Sequence, residues 1–339
     1  MSGTDSHPSQ ALGRRAARRR PSRRARTSGT GSNRLVCAVR TLGRGALVTA
    51  IAVAAVACGS KDAGPVVTVG AGDSPQSRII AELYAGALAR TGLHTRVAER
   101  VGSRGDLLAA LDSGDLALFG DITGDILTAL DSTATVTKPD AVNAALAKAL
   151  PQGVATSDPA DGTDLRPAIV ASAAHPTTLP TSLKDLAPRC DSLILGIDTG
   201  APLDAQRTPL DPEVDVLTPL QSVYHCTITR WVAFTTPTDL RKALSEGEID
   251  LAVLPGPSSF LPGDGADLTP LSDPDYAFRA AMVAPILRKS ALTDPQLRKL
   301  NYVAGELTTT ELADMIHQIR DQNAIPSTVA RTWLDAHAL

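Results

Sequence analysis

Aromatic residues are scarce: four Phe, four Tyr and two Trp in 339 residues. Ten rings leave little for a stacking platform of the kind that binds single-stranded nucleic acid. Cysteine is equally sparse, at four, too few for a disulfide-dense scaffold, and no Cys/His spacing fits a zinc site. Long apolar runs are missing as well. The uncharged stretch from Gly45 to Ala57 falls well short of the roughly twenty residues that span a bilayer. Basic charge is absent where a folded nucleic-acid binder would need it. Residues 1–57 carry eleven Arg and one acid, Asp5. Removing them from 33 basic and 36 acidic residues leaves 22 and 35, a net charge of −13 for the remainder. Nucleic acid is not an expected partner, and neither a metal nor a cofactor is expected.

What is present begins with an address. Arginine clusters precede the apolar stretch, which ends in Ala55-Val56-Ala57-Cys58-Gly59-Ser60. A basic region, a short apolar segment and small residues before a cleavage point describe a secretion signal. The cysteine after that point resembles a bacterial lipobox, in which Cys58 takes the lipid and becomes the mature N-terminus. An ordinary signal peptide with an incidental cysteine is the alternative. Residues 1–57 are thus read as a signal and 58–64 as a tether, with the mature chain lipid-anchored on the outer face of the cell membrane. Cys190 and Cys226 then remain in a compartment where disulfides persist, and a bridge between them is expected, two buried thiols being the alternative.

The mature chain alternates short strands and helices. A β-like run covers 66–70, a loop 71–77, an amphipathic helix 78–90, a strand 94–98, a helix 104–111, a strand 116–119 and a helix from about 124. This pattern argues for α/β with a largely parallel sheet. One unit recurs. Asp106-Leu107-Leu108-Ala109-Ala110-Leu111-Asp112-Ser113-Gly114-Asp115-Leu116 returns as Asp239-Leu240-Arg241-Lys242-Ala243-Leu244-Ser245-Glu246-Gly247-Glu248-Ile249. Both copies read as helix, glycine stop and strand. Their separation is too large for a solenoid and fits two similar lobes; chance similarity is the alternative. Apolar runs at 167–171 and 277–286 suit crossovers between lobes. The expected division is 65–167 plus 280–339 for lobe 1 and 170–275 for lobe 2. Three helices close the chain at 294–306, 309–322 (with Thr309 as the cap) and 326–336.

Several segments together resemble the glycine betaine/choline-binding proteins of osmoprotectant ABC importers. They are Val69-Gly70-Ala71-Gly72-Asp73-Ser74-Pro75-Gln76-Ser77, Gly102-Ser103, Asp121-Ile122-Thr123-Gly124, Ser182-Leu183-Lys184-Asp185-Leu186, Leu307-Thr308-Thr309 and Val329-Ala330-Arg331-Thr332-Trp333-Leu334. The match runs in order over about 66–339 and is thinnest between Leu193 and Thr218. It implies a type II periplasmic-binding clamshell with two crossover strands. It further implies a small-molecule ligand held between the lobes, delivery to an ABC importer permease, and a monomer. The site itself departs from the family. Ser74 and Ile122 stand where the family carries rings, Gly120-Asp121 replaces Pro-Glu, and the later loop reads Pro255-Gly256-Pro257-Ser258. Quaternary ammonium ions depend on such rings, so glycine betaine is expected to bind weakly, if it is the ligand at all.

The candidate ligand contacts are Asp73, Ser74 and Gln76 before a helix, and Asp121, Ile122 and Thr123 at a strand end, where α/β folds bind ligands. Arg207 lies near the family's acid-pairing arginine, and Pro255 and Ser258 lie on the later loop. For Asp73, Ser74, Asp121 and Thr123 helix capping is the alternative. Tyr224 and Trp231 are read as packing rather than cage. Two other function classes are weighed. Gly72-Asp73-Ser74 with Asp314 and His317 resembles the blocks of GDS-type esterases, but Asp314 and His317 fall mid-helix and no oxyanion-hole block accompanies them. A lipoprotein scaffold with a degenerate pocket is the third reading.

Overall fold

The computed structural model describes residues 66–173 and 179–339; the signal, the tether and Cys58 lie outside them. The strand β1 (Val67–Gly70) leads into α1 (Pro75–Ala89). This helix starts earlier than its apolar periodicity suggests. The Ser74 hydroxyl accepts from the Ser77 amide at 3.0 Å, and Pro75 occupies a first-turn position where a missing N–H costs nothing. Gln76 therefore belongs to a rigid helix turn rather than to a loop.

The chain continues through β2 (Thr95–Ala98), α2 (Arg104–Ser113), β3 (Leu118–Ile122), α3 (Thr123–Leu130), α4 (Pro139–Ala149) and β4 (Val154–Thr156). It then enters the second lobe with β5 (Ala168–Ser172), α5 (Leu183–Leu186), β6 (Ile194–Asp198), α6 (Thr218–Tyr224), β7 (Arg230–Phe234), α7 (Pro237–Glu246), β8 (Leu251–Leu254) and β9 (Leu268–Pro270). It returns with β10 (Val283–Arg288), α8 (Asp294–Glu306), α9 (Thr309–Arg320) and α10 (Pro326–Ala336).

Two five-stranded sheets result, in the orders β2-β1-β3-β10-β4 and β7-β6-β8-β5-β9. The orders correspond position by position. In each, three parallel strands are followed by an antiparallel one, β10 or β5, that arrives from the other lobe. The recurring unit sits at matching places: α2 to β3 in one sheet, α7 to β8 in the other. Gly114 and Gly247 end the two helices at φ 86° and 74°, a left-handed conformation that side-chain-bearing residues adopt only at a cost.

Helices cover both faces of the first sheet. Leu118 and Ile122 of β3 join the cluster under α1 and α8–α10, while Phe119 joins the one under α2–α4. Burial on both faces explains why these strands read as apolar runs without alternation. The cap of α9 is Thr308, in a reciprocal capping box with Glu311, rather than Thr309. The Thr309 hydroxyl instead accepts from the Asp164 amide at 2.7 Å, which ties α9 to the first crossover.

The crossovers, 157–167 and 271–282, are joined to each other. Arg166 on one pairs with Asp273 on the other at 3.0 Å and lies over the Tyr276 ring at 4.4 Å. The Tyr224 hydroxyl donates to the same Asp273. In the second lobe Cys190 and Cys226 are bridged, with their Cα atoms 5.4 Å apart.

Candidate functional site

In the first sheet β1 reaches its helix through the short link 71–74, but in the second sheet β6 is followed by a long loop, 199–211, before the next helical turn. This loop crosses to the first lobe. Its Asp204 is 5% exposed and accepts from the Gln76 side-chain amide at 2.8 Å and the Gln206 backbone amide at 3.0 Å. A carboxylate thus sits at the N-terminal turn of α1, where the helix dipole and free amides favour negative charge. Burial nevertheless pushes its pKa upward, against the lowering by the Gln206 amide, the nearby Ser74 hydroxyl and Arg207.

Arg207, from the same loop, pairs with Asp125 of α3 at 2.9 Å and donates to the Leu165 carbonyl of the first crossover at 2.9 Å. Lower on the same face, the Phe260 ring packs into the first lobe's core. Its carbonyl accepts from Arg320 of α9, and His317 of α9 meets Asp264. Bonds of both kinds fasten one lobe to the other.

Between these fastenings lies a narrow pocket with about 40 Å³ of free space. Gln76, Asp198, Asp204, Arg207, Pro255 and Phe260 are among its lining residues, with Pro202, Pro237 and Pro257 forming much of the rest. Among the described lining residues Phe260 is the one aromatic ring. Asp198 ends β6 and is 3% exposed. One of its oxygens accepts from the Gly200 amide at 3.0 Å, and the other has no donor among the described residues. Burial raises its pKa too, partly offset by the Gly200 bond.

The sequence-derived candidates divide accordingly. Gln76, Arg207 and Pro255 line the pocket, while Ser74 caps α1. Asp73 is exposed, 3.7 Å from Arg100. Asp121 is held by Arg104 in a two-pronged pair at 2.7 and 2.9 Å, almost wholly buried; burial pushes its carboxyl upward while Arg104 pulls it down. Ile122 is core. The Thr123 hydroxyl accepts from the Met282 amide at 3.1 Å, fixing the second crossover to α3. Ser258 opens a short helical turn, its carbonyl accepting from the Leu261 amide. Asp198 and Asp204 have no counterpart among the candidates. The signal for Asp198 is an Asp at a strand end after Ile194-Leu195-Gly196-Ile197, as at Asp121, whereas Asp204 lies in a loop without such a mark.

The esterase alternative finds no triad. The Ser74 hydroxyl accepts from the Ser77 amide, and the partner of His317 is Asp264 from the second lobe, not Asp314. Tyr224 belongs to the second lobe's core, and Trp231 is 43% exposed on the edge strand β7.

Comparison with known proteins agrees with this architecture. None of the curated proteins matches the chain significantly. Among solved structures, a glycine betaine/carnitine/choline ABC transporter protein superposes with a TM-score of 0.64 at 19% identity, covering 80% of this chain and 98% of its own. The ligand-free YehZ protein of Escherichia coli gives 0.62 at 16%, with the same coverage. These likenesses establish the two-lobed periplasmic-binding fold. Residues 65–336 match the family described as the substrate-binding domain of ABC-type glycine betaine transport systems. Over that span, which takes in both sheets, both crossovers and the closing helices, the chain belongs to this family.

Proposed function

We propose that the chain is the extracytoplasmic receptor of an ABC importer, capturing a small molecule between its lobes and presenting it to the permease. The observation that supports this most directly is the pocket itself. It opens where β6, β8 and the first turn of α1 converge, and the bonds around it join one lobe to the other. A ligand seated there would bear directly on lobe closure, which is the signal a permease can read. We assign lobe 1 to 65–167 and 280–339, and lobe 2 to 170–275. The reading includes a lipid on Cys58 and action as a monomer. Glycine betaine is a poor candidate for the ligand, because one ring does not make a cage.

A thermal-shift and calorimetry screen of betaines, amines, amino acids and sugars tests the binding role. At least one compound is expected to raise the melting temperature and to lose affinity in Gln76→Ala. No shift with any compound would leave the scaffold reading in its place. For the anchor, Cys58→Ala is expected to abolish detergent-phase partitioning; unchanged partitioning would place the membrane link elsewhere.

A further inference from the structure

Two carboxylates define the pocket's chemistry, and they are in different states. Asp204 is satisfied: the Gln76 side-chain amide donates to one oxygen and the Gln206 backbone amide to the other, at the N-terminal turn of α1. The place that would otherwise receive a ligand's acid group is occupied by the chain itself. Asp198 is not saturated. It is 3% exposed, faces the pocket, and has one oxygen without a donor. That oxygen opens onto the pocket as a free anionic acceptor, which a donor cation can take in a charge-assisted hydrogen bond. Arg207, the one cation among the described lining residues, is already paired with Asp125 and bonded to Leu165. Nothing in the lining is left to hold a second anion.

Resting on the receptor reading above, we propose that the ligand is a compact primary or secondary amine without a carboxylate. Its protonated nitrogen donates to Asp198, and Asp204 acts as a tethered substitute for the acid group that such ligands lack. The two residues then set specificity in separate ways. Asp198 demands N–H donors, which a quaternary ammonium ion does not have. Asp204 excludes zwitterions by filling their carboxylate position with like charge.

Calorimetry on the full chain with two series of probes tests both parts. The first is ethanolamine, N-methylethanolamine, N,N-dimethylethanolamine and choline; the second is glycine, sarcosine, dimethylglycine and glycine betaine. The expected result is binding of ethanolamine, with choline weaker by roughly ten- to hundredfold, the range of one lost charged hydrogen bond. The carboxylate series is expected to bind more weakly than the alcohol series. Asp198→Asn should lose ethanolamine binding by a similar factor, and Asp204→Ala should invert the preference between ethanolamine and glycine. Choline or glycine betaine binding as tightly as its unmethylated homologue overturns the inference, and that comparison needs no variant to fold. So does an unchanged preference in a folded Asp204→Ala protein. Binding of a compound outside both series, lost in Gln76→Ala but kept in Asp198→Asn, overturns it while leaving the cleft as the receptor site. Absence of binding by every compound overturns both.

Discussion

Gln76 of α1 and Asp204 of the loop after β6 meet at 2.8 Å, each more than nine-tenths buried and each on a different lobe. The bond is polar, local and made only when the lobes are together. Opening the clamshell exposes both groups to water, so the cost of separation is modest and the bond is suited to being broken and remade.

Gln76→Ala removes the donor but leaves the acceptor buried. An unsatisfied buried group costs about 1–3 kcal/mol, and opening is the cheapest way to rehydrate it. The variant is therefore expected to populate the open form, seen as a larger radius of gyration in small-angle scattering. A scattering curve identical to that of the parent would show that other fastenings hold the lobes together.

Asp204 also makes a pH prediction. Its folded pKa is raised above the ordinary 3.8 by burial, so the folded state binds the proton more tightly than the unfolded one. The favourable contribution is complete below the unfolded value and is lost as pH rises through the raised folded value. Asp204→Asn keeps an acceptor for Gln76 and removes the titration. Its stability relative to the parent should thus be more favourable at about pH 7 than at about pH 4, by chemical denaturation at each pH. A difference that is flat with pH, or of opposite slope, would contradict the assignment. Such a gain at neutral pH is what is expected where a buried charge serves binding rather than stability.

Arg104 and Asp121 form the most enclosed ion pair touching the candidate residues. Arg104→Ala is expected to destabilise the protein by about 3–5 kcal/mol, because it leaves a buried carboxylate without its counter-charge. Combining Arg104→Met with Asp121→Leu should recover most of that loss. If the double variant is as unstable as the single one, the pair does more than neutralise itself.

The Cys190–Cys226 bridge closes a separation of 36 residues, for which chain entropy gives about 4 kcal/mol. Replacing both cysteines by Ala should lower the denaturation midpoint accordingly, while the fluorescence of Trp333, packed in lobe 1, should change less at low denaturant than that of Trp231.

Much of the first lobe was legible because its signals are local. The unit around Gly114 and Gly247 announces helix, stop and strand within a few residues, and the Pro-led starts of α8 and α10 fix those helices in register. The site was harder to read for a physical reason. Capping, ion pairing and ligand contact require the same residue types at strand ends and helix starts. Only the fold shows that Thr123 is taken by Met282, Asp121 by Arg104 and Asp73 by solvent and Arg100. Asp198 and Asp204 lie in the stretch of thinnest family resemblance, where 199–211 has no periodicity. The partner of Asp204 across the lobes, Gln76, is more than a hundred residues away in sequence. Topology alone brings them together.

Each sheet borrows its antiparallel strand from a segment that has just left the other lobe. A protease that nicked the first crossover would therefore split the polypeptide without splitting the particle. One piece would keep β1–β4, the other would keep the whole second sheet together with β10 and the three closing helices. The pairing of β10 with β3 and β4, and the packing of α1 against α8–α10, would still clamp the pieces to each other. The two fragments should co-elute on gel filtration and part only in denaturant, so an intact elution profile is no evidence of an intact chain.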